Sequence, residues 1–325
     1  MAIVGVWHDA RVDESPAPAL RAEVAVVGTG NLDTTVRVPR LPVDGENVVG
    51  DVVSVAPGGK GVNQAVAAAR LGARTALVAC VGDDPPGDRL LAALRDEAGL
   101  ELGGVRRVAG PTGAAFVAID DAGATTIVSA RGANAHLDDE HVHRNGVTIG
   151  GAAVVLTQLG VPVAAVRAAL EIAHSVGTTT VLDPCPPDDV TDDLLRLVDV
   201  CTPNETEIAR LTGIAVADLD GVRRAAHALL ARGCAAVVVT LGARGAYLAS
   251  EGGVDLHVPA IAVEVVDPTG AGDACCGALA AALARGVSLT DAVREAVVAG
   301  SLATTRLGAV PSLPTRTQVD ARLAE

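Results

Sequence analysis

Residues 152–184 read AAVVLTQLGVPVAAVRAALEIAHSVGTTTVLDP. Ala152–Gln158 is β-rich, Val163–Val176 is an Ala-rich helical pattern, and Thr178–Leu182 is a second β-rich run ending at Asp183-Pro184. Strand, helix and strand in this order form the crossover unit of a parallel sheet. The pattern repeats in both directions. Upstream, Val24–Thr29 and Arg74–Val81 read as strands, and Asn63–Leu71 and Pro86–Glu97 as helices. Downstream, Asp189–Val198, Glu205–Thr212 and Val222–Arg232 read as helices, Val200–Thr202 and Ala235–Thr240 as strands. A hairpin over 242–258 and two long helices, about 272–285 and 290–306, complete the chain. The alternation predicts a mostly parallel sheet covered by helices on both faces.

Two stretches break it. Residues 36–53 and 114–129 read as strands joined by turns, with Asp120-Asp121-Ala122-Gly123 a hairpin turn. They predict a small antiparallel flap over one edge of the sheet, a lid. The chain reads as one α/β domain over 23–325 behind a disordered tail of residues 1–22.

Composition removes several functions. The net charge is −14, the wrong sign for a general nucleic-acid binder. The aromatic residues are Phe116, Tyr247 and Trp7, too few to stack single-stranded bases. A nucleotide base would therefore sit in an aliphatic or Gly-rich slot, with walls expected around Val297 and Ala299-Gly300-Ser301. Apolar stretches are broken well before the roughly 18 residues of a membrane span, and the N-terminus does not read as a signal peptide. Six cysteines, none in a C-x-x-C pair, suit a reduced cytoplasmic protein. The histidines show no zinc-site spacing. Of the 25 basic residues, 24 are Arg and one, Lys60, is Lys.

Five motifs carry chemistry. Asp267-Pro268-Thr269-Gly270-Ala271-Gly272-Asp273 opens the first long C-terminal helix. Amides of Gly270, Ala271 and Gly272 at a helix N-terminus form an anion hole, and Asp273 beside it can take a proton from an attacking hydroxyl. Alone, Asp273 reads equally as a helix cap. Pro57-Gly58-Gly59-Lys60-Gly61-Val62-Asn63 opens an earlier helix, with Lys60 and Asn63 as donors for a hydroxyl-rich ligand. It is not a Walker A loop, because Lys60 is followed by Gly. Gly28-Thr29-Gly30-Asn31-Leu32-Asp33 has Asp where a dinucleotide fingerprint needs its third Gly. Asn31 and Asp33, at a strand's carboxyl end, suit sugar hydroxyls instead, or a polar turn. In Thr202-Pro203-Asn204-Glu205-Thr206-Glu207, Asn204 and Glu207 read either as a capping box or as groups positioning phosphate and hydrated Mg²⁺. Thr240-Leu241-Gly242-Ala243-Arg244-Gly245 is a strand-end Gly loop that could hold a nucleotide, or a hairpin turn.

Together and in this order, these motifs resemble the ribokinase-like (PfkB) family of carbohydrate kinases, from about Val24 to Pro314. The resemblance implies a parallel sheet sandwiched by helices, with an antiparallel lid that forms a homodimer clasp. It implies MgATP-dependent phosphorylation of a sugar hydroxyl, with O5 of D-ribose the leading acceptor. By motif, Asp273 is the base and the Gly270–Gly272 amides the anion hole. Asn31, Asp33, Gly58, Gly59, Lys60, Gly61 and Asn63 hold the sugar. Asn204, Thr240, Gly242, Arg244, Gly245 and Gly272 hold the nucleotide, and Glu207 orders Mg²⁺ through water. A monovalent cation, K⁺, is implied at Asp267, Thr269, Ala303, Arg306, Gly308 and Ser312.

The chain departs from the family at one point. The family has Gln-Leu-Glu after this strand, and the Glu contacts sugar. Here the run is Gln158-Leu159-Gly160. A lost charged hydrogen bond costs about 1.5–3 kcal/mol. Another sugar or nucleoside kinase is therefore the alternative. A non-catalytic sugar or nucleotide sensor is a third reading, disfavoured by the intact Asp273.

Overall fold

A computed structural model of the chain describes residues 21–325, and the expected tail lies outside them except for its last two residues. The elements begin with β1 (Val24–Val27), β2 (Asn31–Val38), β3 (Asp51–Gly58), α1 (Lys60–Arg70), β4 (Thr75–Gly82), α2 (Pro85–Arg95) and β5 (Leu100–Val108). Next come β6 (Ala114–Asp120), β7 (Thr125–Ala130), α3 (Asp139–Arg144), α4 (Gly146–Gly151), β8 (Val154–Gln158), α5 (Val163–Val176) and β9 (Thr179–Asp183). The rest comprises α6 (Asp192–Leu195), β10 (Val200–Cys201), α7 (Glu205–Thr212), α8 (Leu219–Leu230), β11 (Ala236–Thr240), β12 (Ala246–Ser250) and β13 (Asp255–Val258). The C-terminal helices are α9 (Ala271–Ala284), α10 (Leu289–Ala303), α11 (Ala309–Ser312) and α12 (Arg316–Leu323).

The large sheet has nine strands in the order β13-β12-β11-β10-β9-β8-β1-β4-β5. Every pairing from β5 to β11 is parallel, and the β12–β13 hairpin is antiparallel. Successive side chains of a strand point to opposite faces. Val24 and Val26 therefore enter the core under α1, α9 and α10, while Ala25 and Val27 enter the core under α5 and α8. This two-sided burial is why the central strands are apolar throughout.

α1 and α9 pack unusually close because small residues face each other. A Cβ on Gly277 would lie 2.5 Å from Ala67 Cβ and 2.6 Å from the Gln64 carbonyl oxygen. Gly277 is one turn beyond Asp273, and Gln64 neighbours Asn63, so this contact sets the spacing of the two motifs.

The small sheet has the order β3-β2-β6-β7. Its β2–β3 and β6–β7 pairs are antiparallel, but β2 and β6 run parallel. Its strands also start closer to the motifs than 36–53 and 114–129 suggest. β2 begins at Asn31 and β3 ends at Gly58, so both motifs lie on lid strands. Asn31 and Asp33 are therefore strand residues rather than members of a turn.

Two further differences have local causes. β5 pairs with β4, although its Gly-Gly and Arg-Arg pairs conceal a strand. The helix expected over 189–198 covers only Asp192–Leu195; the Thr191 side chain fixes its start by accepting from Leu194 N.

Gly277→Ala should cost about 1–3 kcal/mol through overpacking, read as a lower Tm. Gly150→Ala in α4, where the new Cβ meets only ordinary contacts at 3.5 Å, should leave Tm unchanged or raise it.

Candidate active site

The parallel strands end where the N-termini of α1 and α9 meet, the usual ligand crevice of an open α/β sheet. Asp273, in the first turn of α9, is buried. Its Oδ2 accepts from Asn63 Nδ2 at 2.8 Å and its Oδ1 from Gln64 Nε2 at 3.0 Å. Lys60 Nζ lies 3.8 Å from Asp273 Oδ1. The same Nζ is 2.8 Å from Oδ2 of Asp183, at the end of β9. Gln64 Nε2 also reaches Asp183 Oδ2 at 2.8 Å, and Gln158 Nε2 at the end of β8 donates to Gln64 Oε1 at 2.6 Å. One continuous polar network therefore joins α1, α9, β8 and β9.

Its electrostatics follow from burial. Desolvation raises the pKa of Asp273, and the Lys60 ammonium partly offsets it. Burial works against the Lys60 ammonium too, but Asp183 and Asp273 outweigh it and hold its pKa well above the ordinary value. Asn63 Oδ1 and Gln158 Oε1 are buried with no hydrogen-bond partner among the described residues. Buried acceptors are rarely left unpaired in native proteins; Gln158 Oε1 is packed against Gly28, whereas Asn63 Oδ1 belongs to the side chain that holds Asp273.

The lid supplies the other wall. Asp33 Oδ1 accepts from Ala115 N of β6 at 2.8 Å. Asn31 Oδ1 accepts from Asn134 Nδ2 at 2.8 Å, and Asn134 Oδ1 accepts from Gly30 N at 2.8 Å. Burial pushes the Asp33 carboxyl up to about 6, against the lowering effect of the Ala115 amide, Asn31 and the Gly59 amide. Gly59 precedes α1 at φ 84°, a left-handed conformation that favours glycine.

At α9, Gly270 is left-handed at φ 80°, and the Ala271 amide turns back to the Pro268 carbonyl at 3.2 Å. Helix geometry then leaves Gly272 and Asp273 as first-turn donors toward the crevice. No atom outside the helix lies within 4 Å of a Cβ built on Gly272. Beside it is a cavity of about 650 Å³ whose walls include Thr240, Gly242, Gly245, Val297, Gly300 and Ser301. Among the described residues no aromatic ring lines it.

Asn204 caps α7: its Oδ1 accepts from Glu207 N at 2.9 Å, and Glu207 Oε2 accepts from Asn204 N at 2.8 Å. The capping box is therefore real, and an isolated bridge pairs Asn204 with Thr240 at the cavity rim. Ligand atoms of Glu207, Asp183 and Cys185 lie within 4.8 Å of one another. Arg244 is not among the cavity's lining residues, and its guanidinium pairs with Glu205.

Asp267 is buried, accepting from Thr269 N at 2.9 Å and Gly308 N at 2.8 Å. Among the described residues no cationic side chain lies within 4.0 Å of it. Ser312 Oγ donates to Ala309 O at 2.8 Å in α11. Ala303 ends α10, and Arg306 lies in the link between α10 and α11.

Sequence reading missed Asp183, Gln64, Gln158 and Asn134 as site members. Asp183 was visible only as the polar stop of a strand, and Gln64 only as a helix residue.

A buried carboxylate facing a helix N-terminus, beside a polar pocket and an aliphatic cavity, is the arrangement of a phosphotransferase. The chain matches the pfkB family of carbohydrate kinases over residues 21–316. It is 37% identical to a ribokinase of Haemophilus influenzae, covering 91% of this chain and 97% of that one. It superposes on Arabidopsis thaliana ribokinase complexed with ribose and ATP, with TM-score 0.84, 32% identity, and coverage of 94% and 100%. It superposes likewise on a putative ribokinase II from E. coli in complex with ATP and Mg²⁺, with TM-score 0.79, 25% identity, and coverage of 93% and 99%. The chain belongs to the pfkB family of carbohydrate kinases and is a phosphotransferase that acts on an alcohol group.

The raised carboxyl of Asp33 has a sign. An acid held above its unfolded value of 3.8 destabilises the fold when ionised, so that cost is absent below about pH 4 and complete above about pH 6. The stability gained by Asp33→Asn over wild type should be larger at pH 8 than at pH 4, by about 2 kcal/mol. Urea titrations of both proteins at the two pH values check this.

Proposed function

We propose that the chain is a ribokinase, transferring the γ-phosphoryl group of ATP to O5 of D-ribose. The observation that carries this is Asp273, a buried carboxylate whose pKa burial raises, held beside the free amides of α9. Asp273 takes the proton of the O5 hydroxyl as the O5–Pγ bond forms. The bond from Pγ to the bridging oxygen breaks, and ADP leaves with that oxygen. The Gly272 and Asp273 amides face the transferring group. Asn31, Asp33 and Asn63 hold sugar hydroxyls, and the unpartnered Asn63 Oδ1 accepts one of them. Adenine lies against the aliphatic walls around Val297, without a ring to stack on.

Glu207 suits Mg²⁺ held through water, because one carboxylate oxygen is fixed by the Asn204 amide. Bound there, Mg²⁺ would neutralise charge on the phosphates. Asp267 suits a monovalent cation, because this buried carboxylate faces only amides and a buried charge needs a counter-charge. Thr269 and Gly308 adjoin it, and Ala303, Arg306 and Ser312 lie on the same C-terminal segment.

The outer face of the lid supports a homodimer. Register places Val55, Thr34, Phe116 and Val128 in one row across all four strands. Phe116 is 55% exposed and Val128 62% exposed, an apolar strip of the kind that marks an interface. Five of the six cysteines are buried and none is bonded to another, which suits work in the cytoplasm.

Asp273→Asn should lower kcat by about 10²–10⁴-fold, with ATP affinity changed less than threefold in calorimetry. ADP release across a panel of pentoses, hexoses and nucleosides tests the substrate. Turnover of another sugar but not ribose would reject ribose alone, and no turnover of any would reject the kinase. Phe116→Asp should convert a dimer to a monomer in sedimentation, while a wild-type monomer would remove the clasp.

A further inference from the structure

The family's sugar-contacting carboxylate is missing at Gly160, yet a carboxylate still stands in the same corner. Asp183 ends β9 directly beside Gln158, its register partner at the end of β8. Gly160 follows Gln158 by two residues. Resting on the sugar-kinase reading above, we propose that Asp183 is a positioning residue of the sugar pocket, holding the Lys60 ammonium for a sugar hydroxyl. It would set sugar specificity in place of the missing Glu, and Thr29 and Gly160 form a steric pair that keeps the usual acid out.

Three observations carry this. Asp183 Oδ2 receives Lys60 Nζ and Gln64 Nε2, both at 2.8 Å, and Gln64 Nε2 also holds Asp273 Oδ1. The acid thus belongs to the group that fixes the base, not to a separate structural pair. The pair is also open on one side: the Asp183 side chain is 3% exposed and that of Lys60 is 35% exposed. A ligand hydroxyl can reach the ammonium while the carboxylate anchors it.

The third observation is steric. A Cβ on Gly160 would lie 2.7 Å from Thr29 Cγ2, with its next contact, Thr29 Oγ1, at 3.8 Å. Thr29 is itself buried, and its Oγ1 accepts from Gly61 N at 3.3 Å, which ties it to the start of α1. Any side chain at 160 would have to displace the Thr29 methyl. Serine in its place would remove the obstacle and keep the hydroxyl.

Asp183 also neighbours Cys185 and Glu207, a grouping that could hold a metal. Against that role, the Lys60 ammonium already sits 2.8 Å from Asp183 and would repel a dication there. Cys185 is a poor ligand for Mg²⁺, which prefers oxygen.

The test measures KM for sugar, KM for MgATP and Mg²⁺ half-saturation by ADP release, with Tm as a folding check. Asp183→Asn should raise the sugar KM tenfold or more, with the KM for MgATP and the Mg²⁺ half-saturation unchanged. Gly160→Glu should lower Tm and sugar affinity. Thr29→Ser/Gly160→Glu should recover both, and adding Asp183→Asn to that pair should then cost less than threefold in sugar KM. A sugar KM unchanged in Asp183→Asn, or a shift in Mg²⁺ half-saturation instead, overturns the assignment. If Asp183→Asn does not fold, the pair decides alone: no recovery by Thr29→Ser overturns the proposal. Wild-type protein that turns over no sugar would reject the kinase reading itself, a result distinct from any of these.

Discussion

One ammonium serves two buried carboxylates at the centre of this protein. Lys60 lies 2.8 Å from Asp183 and 3.8 Å from Asp273. Buried charges are tolerated only with pairing and additional hydrogen bonds, and the second negative charge is met by amides. Gln64 Nε2 forks between the two acids, Asn63 adds a bond to Asp273, and Gln158 in turn holds Gln64. A point charge on a flexible stem reaches both acids from a Gly-Gly turn, where the planar fork of Arg is far bulkier. That gives a physical reason why the one Lys in a chain of 24 arginines stands at this position.

The rest of the fold serves that spacing. Asp183 reaches the network because β8 and β9 pair in a register that sets it beside Gln158. Asp273 reaches it because α1 and α9 touch through small residues, with no room for a side chain at Gly277. An acidic protein must also admit a triphosphate. In the function proposed above this falls to the α9 amides, since both Arg244 and Lys60 are already paired with carboxylates.

The alternation of apolar strands with Ala-rich helices was legible because each central strand is buried on both faces. The lid was legible as an interruption of that alternation, but not its parallel β2–β6 pairing, which joins segments about eighty residues apart. β2 was hidden because Asn31 and Asp33 look like turn residues until Ala115 and Asn134 are seen to bind them. Asp273, Lys60 and Asn63 were legible from their glycine-rich settings. Asp183 was not, since its partners are 119 and 123 positions away. At Asn204 the capping box is present, and its bridge to Thr240 sets this cap beside the cavity.

β2 begins at Asn31 in the crevice and runs without a break in the strand to Val38 in the lid. Its residues Asn31 and Asp33 face the pocket end, and Thr34 joins the outward row that includes Phe116. One stretch of backbone thus spans the pocket and the outer face. Any partner seated on the outer face would prefer one setting of this strand, and so would a sugar in the pocket. For the homodimer proposed above, linkage would make the two occupancies reciprocal: apparent sugar affinity would become a function of protein concentration, and self-association a function of sugar.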